Sequence, residues 1–282
     1  MRIAITGGNG QLGRALACAL EAQEVISLGR DRADICDSAQ IMTALRRAEP
    51  DLVIHCAAFT DVDGSARQPE RAQQVNALGT RNVALACRAL GADMAHISTN
   101  EVFGGDRPGG YEEWMALGPV NPYGRSKAAA EHAVRGLLSN YYIIRTAWLY
   151  SAGGRNFVHA ILERARQGGP LRVVADEIGN PTYAPDLAAA INQLVQTGQY
   201  GVYHLTNSGV CSRWAFAAEI LRQAGLNQVP NQPIRGRDYA RASTPPAYGA
   251  LVNLNAAALG ISLRPWQAAL ADFMAEAGAA ED

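Results

Sequence analysis

Residues 6–13 read Thr-Gly-Gly-Asn-Gly-Gln-Leu-Gly, directly after the apolar run Ile3-Ala4-Ile5 and directly before an Ala/Leu/Arg-rich stretch of helical period. Glycines at 7, 10 and 13 let backbone N–H groups approach a pyrophosphate, place it at a helix N-terminus and allow close helix–strand packing. Glycines alone also suit an ordinary strand-to-helix turn. The position of this loop, after a first strand and before a helix, points to a bound dinucleotide held by Gly7, Gly10, Gln11, Leu12 and Gly13.

Working outward, short apolar runs at 2–6, 25–28, 51–57, 94–98 and 141–145 alternate with helical periods at 11–22, 38–48, 69–90 and 125–138. That βαβα order predicts an α/β fold with a doubly wound, Rossmann-like parallel sheet. Runs such as Leu52-Val53-Ile54 are continuous, as expected of strands covered on both faces. Beyond residue 150 the pattern loosens into helices at 156–167, 185–197, 212–224 and 265–277 with strands at 171–174 and 201–205. The expected division is a dinucleotide-binding core over 1–150 that carries the catalytic residues, and a smaller substrate-binding lobe over 151–282, some of whose segments return to the core.

The chain has 282 residues, 48% of them hydrophobic, and a formal net charge of −1. No basic run or basic helix face supplies the footprint of a nucleic-acid or anionic-membrane binder, so a small-molecule ligand is expected. The five cysteines (18, 36, 56, 87 and 211) are scattered, with no C-x-x-C and no His at ligand spacing, so no metal site is expected and they read as small core residues. No apolar stretch reaches membrane-spanning length, and a cytoplasmic location is expected.

An acidic residue about 20 positions beyond the glycines would hold a ribose 2′-hydroxyl. Here the second strand ends Leu28-Gly29-Arg30-Asp31. Arg30 suits a 2′-phosphate and Asp31 a free ribose, which favours NADPH and leaves NADH open. Asp34 is placed to take the adenine amino group, with Ile35 packing the adenine face.

Residues 121–127 are Asn-Pro-Tyr-Gly-Arg-Ser-Lys, with Tyr123 and Lys127 one helical turn apart. Reducing a ketone requires a hydride on carbon and a proton on oxygen. A phenol can give the proton, and a neighbouring ammonium favours the phenolate left behind. Tyr-x-x-x-Lys also occurs as a packing Tyr beside a solvated Lys; its weight here comes from following a glycine loop and the strand ending Ser98-Thr99.

These motifs, with His55 to Asp63, Val75-Asn76, Val102-Phe103, Arg145 to Tyr150, Asn156-Phe157 and Asp176 to Thr182, resemble the extended short-chain dehydrogenase/reductases, and within them the dTDP-4-dehydrorhamnose reductase family. The resemblance implies NAD(P)H-dependent reduction of the C4 ketone of dTDP-4-dehydro-β-L-rhamnose to dTDP-β-L-rhamnose. It implies Tyr123 as proton donor, Lys127 as ribose-binding and pKa-lowering partner, and Thr99 as the hydroxyl that orients the ketone. Ala57, Ala58 and Thr60 would line the cofactor, and Asn100, Glu101, Trp148 and Asn156 would face substrate. For Trp148, stacking on a sugar and packing in the core both stand as readings. A homodimer is left open.

The sequence departs from the family at Asn100-Glu101, where Asp-Tyr is usual, at Ala66 in place of a common Glu, and at Pro245 to Leu251, where Arg-Pro-x-x-Ser-x-Leu is usual. Related 4,6-dehydratases carry Thr-Asp-Glu at the first of these. Asn100 cannot donate a carboxylic proton, so that elimination lacks its acid. Another sugar, a C4 epimerase or a non-catalytic subunit of this fold are the alternatives.

Overall fold

The computed structural model describes residues 1–279; residues 280–282 lie outside the described part. Six parallel strands form the central sheet: β1 (Arg2–Thr6), β2 (Glu24–Leu28), β3 (Leu52–His55), β4 (Asp93–Thr99), β5 (Tyr141–Thr146) and β6 (Gly201–His204). Their order is β6-β5-β4-β3-β1-β2, so the winding reverses between β1 and β3. A ligand crevice opens at the carboxyl ends of strands at such a switch point. The glycine loop follows β1 there, and Cys56 to Thr60 follow β3.

Helices α1 (Gln11–Ala19), α2 (Ser38–Ala48), α3 (Val62–Arg67), α4 (Thr80–Leu90) and α5 (Pro122–Leu137) belong to the first part of the chain. Alternation along β1 sends Ile3 and Ile5 to one face with Leu12, Leu16, Leu187 and Ile191, and Ala4 to the other with Ile41, Leu45, Val83 and Cys87. Leu187 and Ile191 lie on α7 (Ala184–Val195), so the later part of the chain supplies both a helix layer and the edge strand β6. Each fully buried Leu or Ile contributes roughly 1.5–3 kcal/mol.

Helices α6 (Phe157–Gln167), α8 (Arg213–Gln223) and α9 (Trp266–Ala279) build a second apolar cluster over the carboxyl edge, around Tyr150, Phe216, Trp266 and Phe273. Short pairings join it to the core, among them Ile178–Gly179 against Cys211–Ser212 and Leu149–Tyr150 against Thr182–Tyr183.

Three differences from the sequence expectation bear on the site. The third strand ends at His55, and Cys56 to Thr60 leave the sheet to line the crevice. The helix expected at 125–138 begins at Pro122, because Asn121 caps it by accepting from Gly124 N at 2.8 Å and proline suits the first helical position. Within 69–90, residues Gln73–Gly79 widen into π turns. That stretch contains buried Asn76, whose amide accepts from Phe59 N (2.7 Å) and donates to Ser126 Oγ (2.9 Å). Of the cysteines, Cys18 is exposed on α1 rather than in the core. No helix among the described residues is long and apolar enough to cross a membrane.

Candidate active site

The glycine loop has the cradle that a pyrophosphate needs. Gly7 has φ +71°, and a Cβ there would lie 2.7 Å from Ala57 N; at Gly13 a Cβ would meet Gly7 O at 2.5 Å. Helix α1 has no side-chain cap, so its first N–H groups face the crevice. The cavity of about 580 Å³ along this edge is lined by the loop residues Gly7, Gly10, Gln11, Leu12 and Gly13, and by Ala57, Ala58 and Thr60 after β3. These residues fit a dinucleotide. Arg30 lies at the rim as an exposed guanidinium, 3.5 Å from the Asp34 carboxylate.

Asp34 and Ile35 lie outside the lining of this cavity. The Asp34 carboxylate accepts from Cys36 N at 2.9 Å, a bond that, ahead of Arg30, holds its pKa below the usual range. Ile35 is buried against Gly79, in the same apolar cluster as Ile41 and Val83.

The same cavity receives Thr99, Tyr123 and Lys127. Thr99 ends β4, and its hydroxyl accepts from Glu101 N at 3.2 Å. Tyr123 and Lys127 lie on the first turns of α5, which sits directly against the turn after Thr99: a Cβ on Gly124 would overlap Glu101 O. Only glycine permits that approach. Burial, and then the nearby Glu101 carboxylate, raises the Tyr123 pKa well above the ordinary phenol value, while a hydrogen bond with Thr99 opposes the shift. The phenol is therefore protonated at neutral pH. Burial lowers Lys127 to about 8, against the opposing influence of Glu131 and Cys56. Its ammonium donates to Ile97 O at 2.7 Å and lies 3.4 Å from His96 Nε2. His96 and His55 are both buried and held neutral, chiefly by desolvation.

On the substrate side the four expected residues are placed differently from one another. Asn100 is buried, and its amide donates to Gly249 O at 2.9 Å, so it holds the 245–251 loop. Glu101 lies between this cavity and an adjoining one of about 470 Å³, lining both. One of its carboxylate oxygens accepts from Asn121 Nδ2. Burial raises its pKa, countered by Asn121 and then Arg213. Trp148 also lines both cavities, and its backbone is left-handed at φ +44°. Asn156 lines neither: it caps α6 by accepting from His159 N and donates to Ser151 O (2.7 Å) and Gln11 Oε1 (3.3 Å). It tethers a residue of the glycine loop.

Arg213 is the residue that the sequence did not single out. It opens α8, and the antiparallel pair Ile178–Gly179/Cys211–Ser212 carries it to the crevice. Its guanidinium lies 3.7 Å from the centre of the Trp148 ring. One face of that tryptophan is thus covered by the chain's own cation. No local pattern marks Arg213, because the rings it lies against, Trp148 and Phe157, are distant in sequence.

A glycine cradle at a Rossmann switch point, with a tyrosine and a lysine at the same cavity, defines a nicotinamide-dependent oxidoreductase class. The family model described as RmlD substrate binding domain matches residues 1–278. The chain is 41% identical to a dTDP-4-dehydrorhamnose reductase of Mycolicibacterium smegmatis, covering 97% of this chain and 85% of that protein. It is 36% identical to the spore coat polysaccharide biosynthesis protein SpsK of Bacillus subtilis, over 100% and 99% of the two. A crystal structure of dTDP-4-dehydrorhamnose reductase from Bacillus anthracis in complex with NADP superposes with a TM-score of 0.94 at 38% identity, covering 98% of this chain and 99% of that one. The chain belongs to the RmlD family, that of the dTDP-4-dehydrorhamnose reductases.

Proposed function

We propose that Thr99, Tyr123 and Lys127 reduce the C4 ketone of dTDP-4-dehydro-β-L-rhamnose to the alcohol of dTDP-β-L-rhamnose. The observation that carries this reading is that Tyr123 and Lys127, both buried and one helical turn apart, line the cavity that contains the glycine cradle. The protein is an NAD(P)H-dependent oxidoreductase, and NADPH is the cofactor assigned, with NADH also accommodated. When bound, the nicotinamide supplies the hydride.

The residues of the chain do the remaining work. Gly7, Gly10 and Gly13 admit the pyrophosphate, with Gln11 and Leu12 on the first turn of α1 beside it. Arg30 at the rim meets a 2′-phosphate, and Ala57, Ala58 and Thr60 line the cofactor. Thr99 orients the ketone by donating to its oxygen. Tyr123 delivers its proton to that oxygen as negative charge develops there. The ammonium of Lys127 favours the phenolate that remains and holds the ribose. Asn100 acts on substrate through the loop it anchors, and Asn156 through Gln11. Residues 1–150 form the cofactor-binding and catalytic part, and 151–282 mainly the part that covers the sugar nucleotide. The partner is a nucleotide sugar; self-association as a homodimer and a cytoplasmic location complete the reading.

The test is consumption of NADPH with dTDP-4-dehydro-β-L-rhamnose. Turnover that is abolished in Tyr123→Phe is expected, and no turnover with any thymidylated 4-ketosugar would overturn the proposal.

A further inference from the structure

Glu101 and Arg213, on separate chain segments, both line the junction of the two cavities, beside Trp148. The Glu101 carboxylate receives one hydrogen bond, at Oε2 from Asn121; Oε1 takes none among the described residues. The Arg213 side chain makes no hydrogen bond among them either. Its guanidinium carbon lies over the Trp148 ring, 3.7 Å from the ring centre, and 5.1 Å from the centre of the Phe157 ring. A guanidinium stacked on a ring keeps its in-plane N–H donors available. The pair therefore offers a free acceptor and free donors to whatever fills the junction. Each acts on the other through space, and Glu101 acts on Tyr123.

The chemistry selects the group. An anion between them would be repelled by Glu101, and a cation by Arg213. An alcohol can accept from the guanidinium and donate to the carboxylate together. Because Glu101 follows Thr99 by two residues and lines the same cavity as Thr99, Tyr123 and Arg213, the alcohol belongs on the carbon next to the ketone. On the other neighbouring carbon a 6-deoxyhexose carries its methyl group.

We infer that Glu101 and Arg213 together read the 3-hydroxyl of the 4-ketosugar and so determine specificity. This rests on the reductase reading and narrows it to 4-keto-6-deoxyhexoses that keep oxygen at C3. A sugar without it leaves a carboxylate and a guanidinium unpaired at the junction, and such sites reject the deoxy analogue strongly.

The experiment compares thymidine-diphosphate 4-keto-6-deoxyhexoses with and without the 3-hydroxyl, in wild type, Arg213→Met and Glu101→Gln. Wild type is expected to prefer the hydroxylated ketone in kcat/KM by at least about 100-fold, and each variant to bring that ratio below about 10-fold. Binding is measured separately by calorimetry on Tyr123→Phe with NADP⁺, using thymidine-diphosphate rhamnose and its 3-deoxy counterpart. A binding preference without any turnover would refute the reductase reading and uphold the hydroxyl reader. Equal affinity for the two, or a turnover ratio unchanged in both variants, would overturn the inference.

Discussion

The side-chain amide of Asn100 donates to the carbonyl oxygen of Gly249, 2.9 Å away, and so joins the turn after Thr99 to a loop 149 residues later. Both residues are places where the chain departs from its family. A carboxylate at 100 could not donate to a carbonyl, and a side chain at 249 would collide, since a Cβ there would overlap Asn100 Nδ2. The two departures fit each other. Asn100→Asp is expected to destabilise the protein by about 2–3 kcal/mol, by losing a buried donor and facing two acceptors together. Denaturant melts check this, and a midpoint at the wild-type value would refute it.

Tyr123→Phe removes the proton and leaves the ring. Hydride transfer in a single turnover should fall by roughly 10²–10⁴-fold. Fluorescence titration with NADPH should give a dissociation constant close to that of wild type. A variant that fails in binding instead would make Tyr123 a packing residue.

Lys127 is a base whose folded-state pKa, about 8, lies below its unfolded value of 10.5. Between those values the unfolded chain binds more protons, so this residue's cost to stability is full below pH 8 and is relieved as pH rises towards 10.5. Lys127→Met is thus expected to be more stable than wild type at pH 7, by roughly 1–3 kcal/mol, and the advantage to shrink at pH 10. Activity runs the other way: kcat/KM of wild type should fall above about pH 8 as the ammonium is lost. A stability difference independent of pH would contradict the assignment.

Behind the active site, Arg145 and Glu131 form a fully buried ion pair (2.7 Å), and Ser98 donates to the same carboxylate at 2.6 Å. Arg145 also covers the Phe103 ring at 5.0 Å. Removing one partner strands the other charge, so Glu131→Gln is expected to cost about 3–5 kcal/mol. Replacing both by apolar residues of similar volume should cost less than the single change. Equilibrium unfolding of the two variants beside wild type decides it.

The order of strands and helices was legible because each strand of the core is a continuous apolar run and each helix shows its period. The glycine loop and the Tyr–Lys turn were legible because each is a local pattern with a physical purpose. The start of α5 at Pro122 was not read, although Asn121 is a capping residue type and proline suits the first helical position. What was hidden depends on long-range contact. Asn76 and its π turns are shaped by Phe59 and Ser126, and nothing in Gln73 to Gly79 marks the widening. Arg213 acquires its place only when the 178–179 and 211–212 segments pair. Asn100 and Glu101 stood out as unusual residues, yet their different surroundings, one against a loop carbonyl and one against two cavities, follow from packing. Asn156 read as a substrate contact and is placed as a helix cap that reaches Gln11.

Strand β6 pairs with β5 in register, His204 beside Arg145, and helix α7 covers α1. A chain released only to residue 150 has delivered Thr99, Tyr123 and Lys127 but neither the outer neighbour of β5 nor the cover of α1. The sheet edge at β5 and the helix layer over α1 are completed only by residues 184–204, so the two ends of the chain must both be present to close the core.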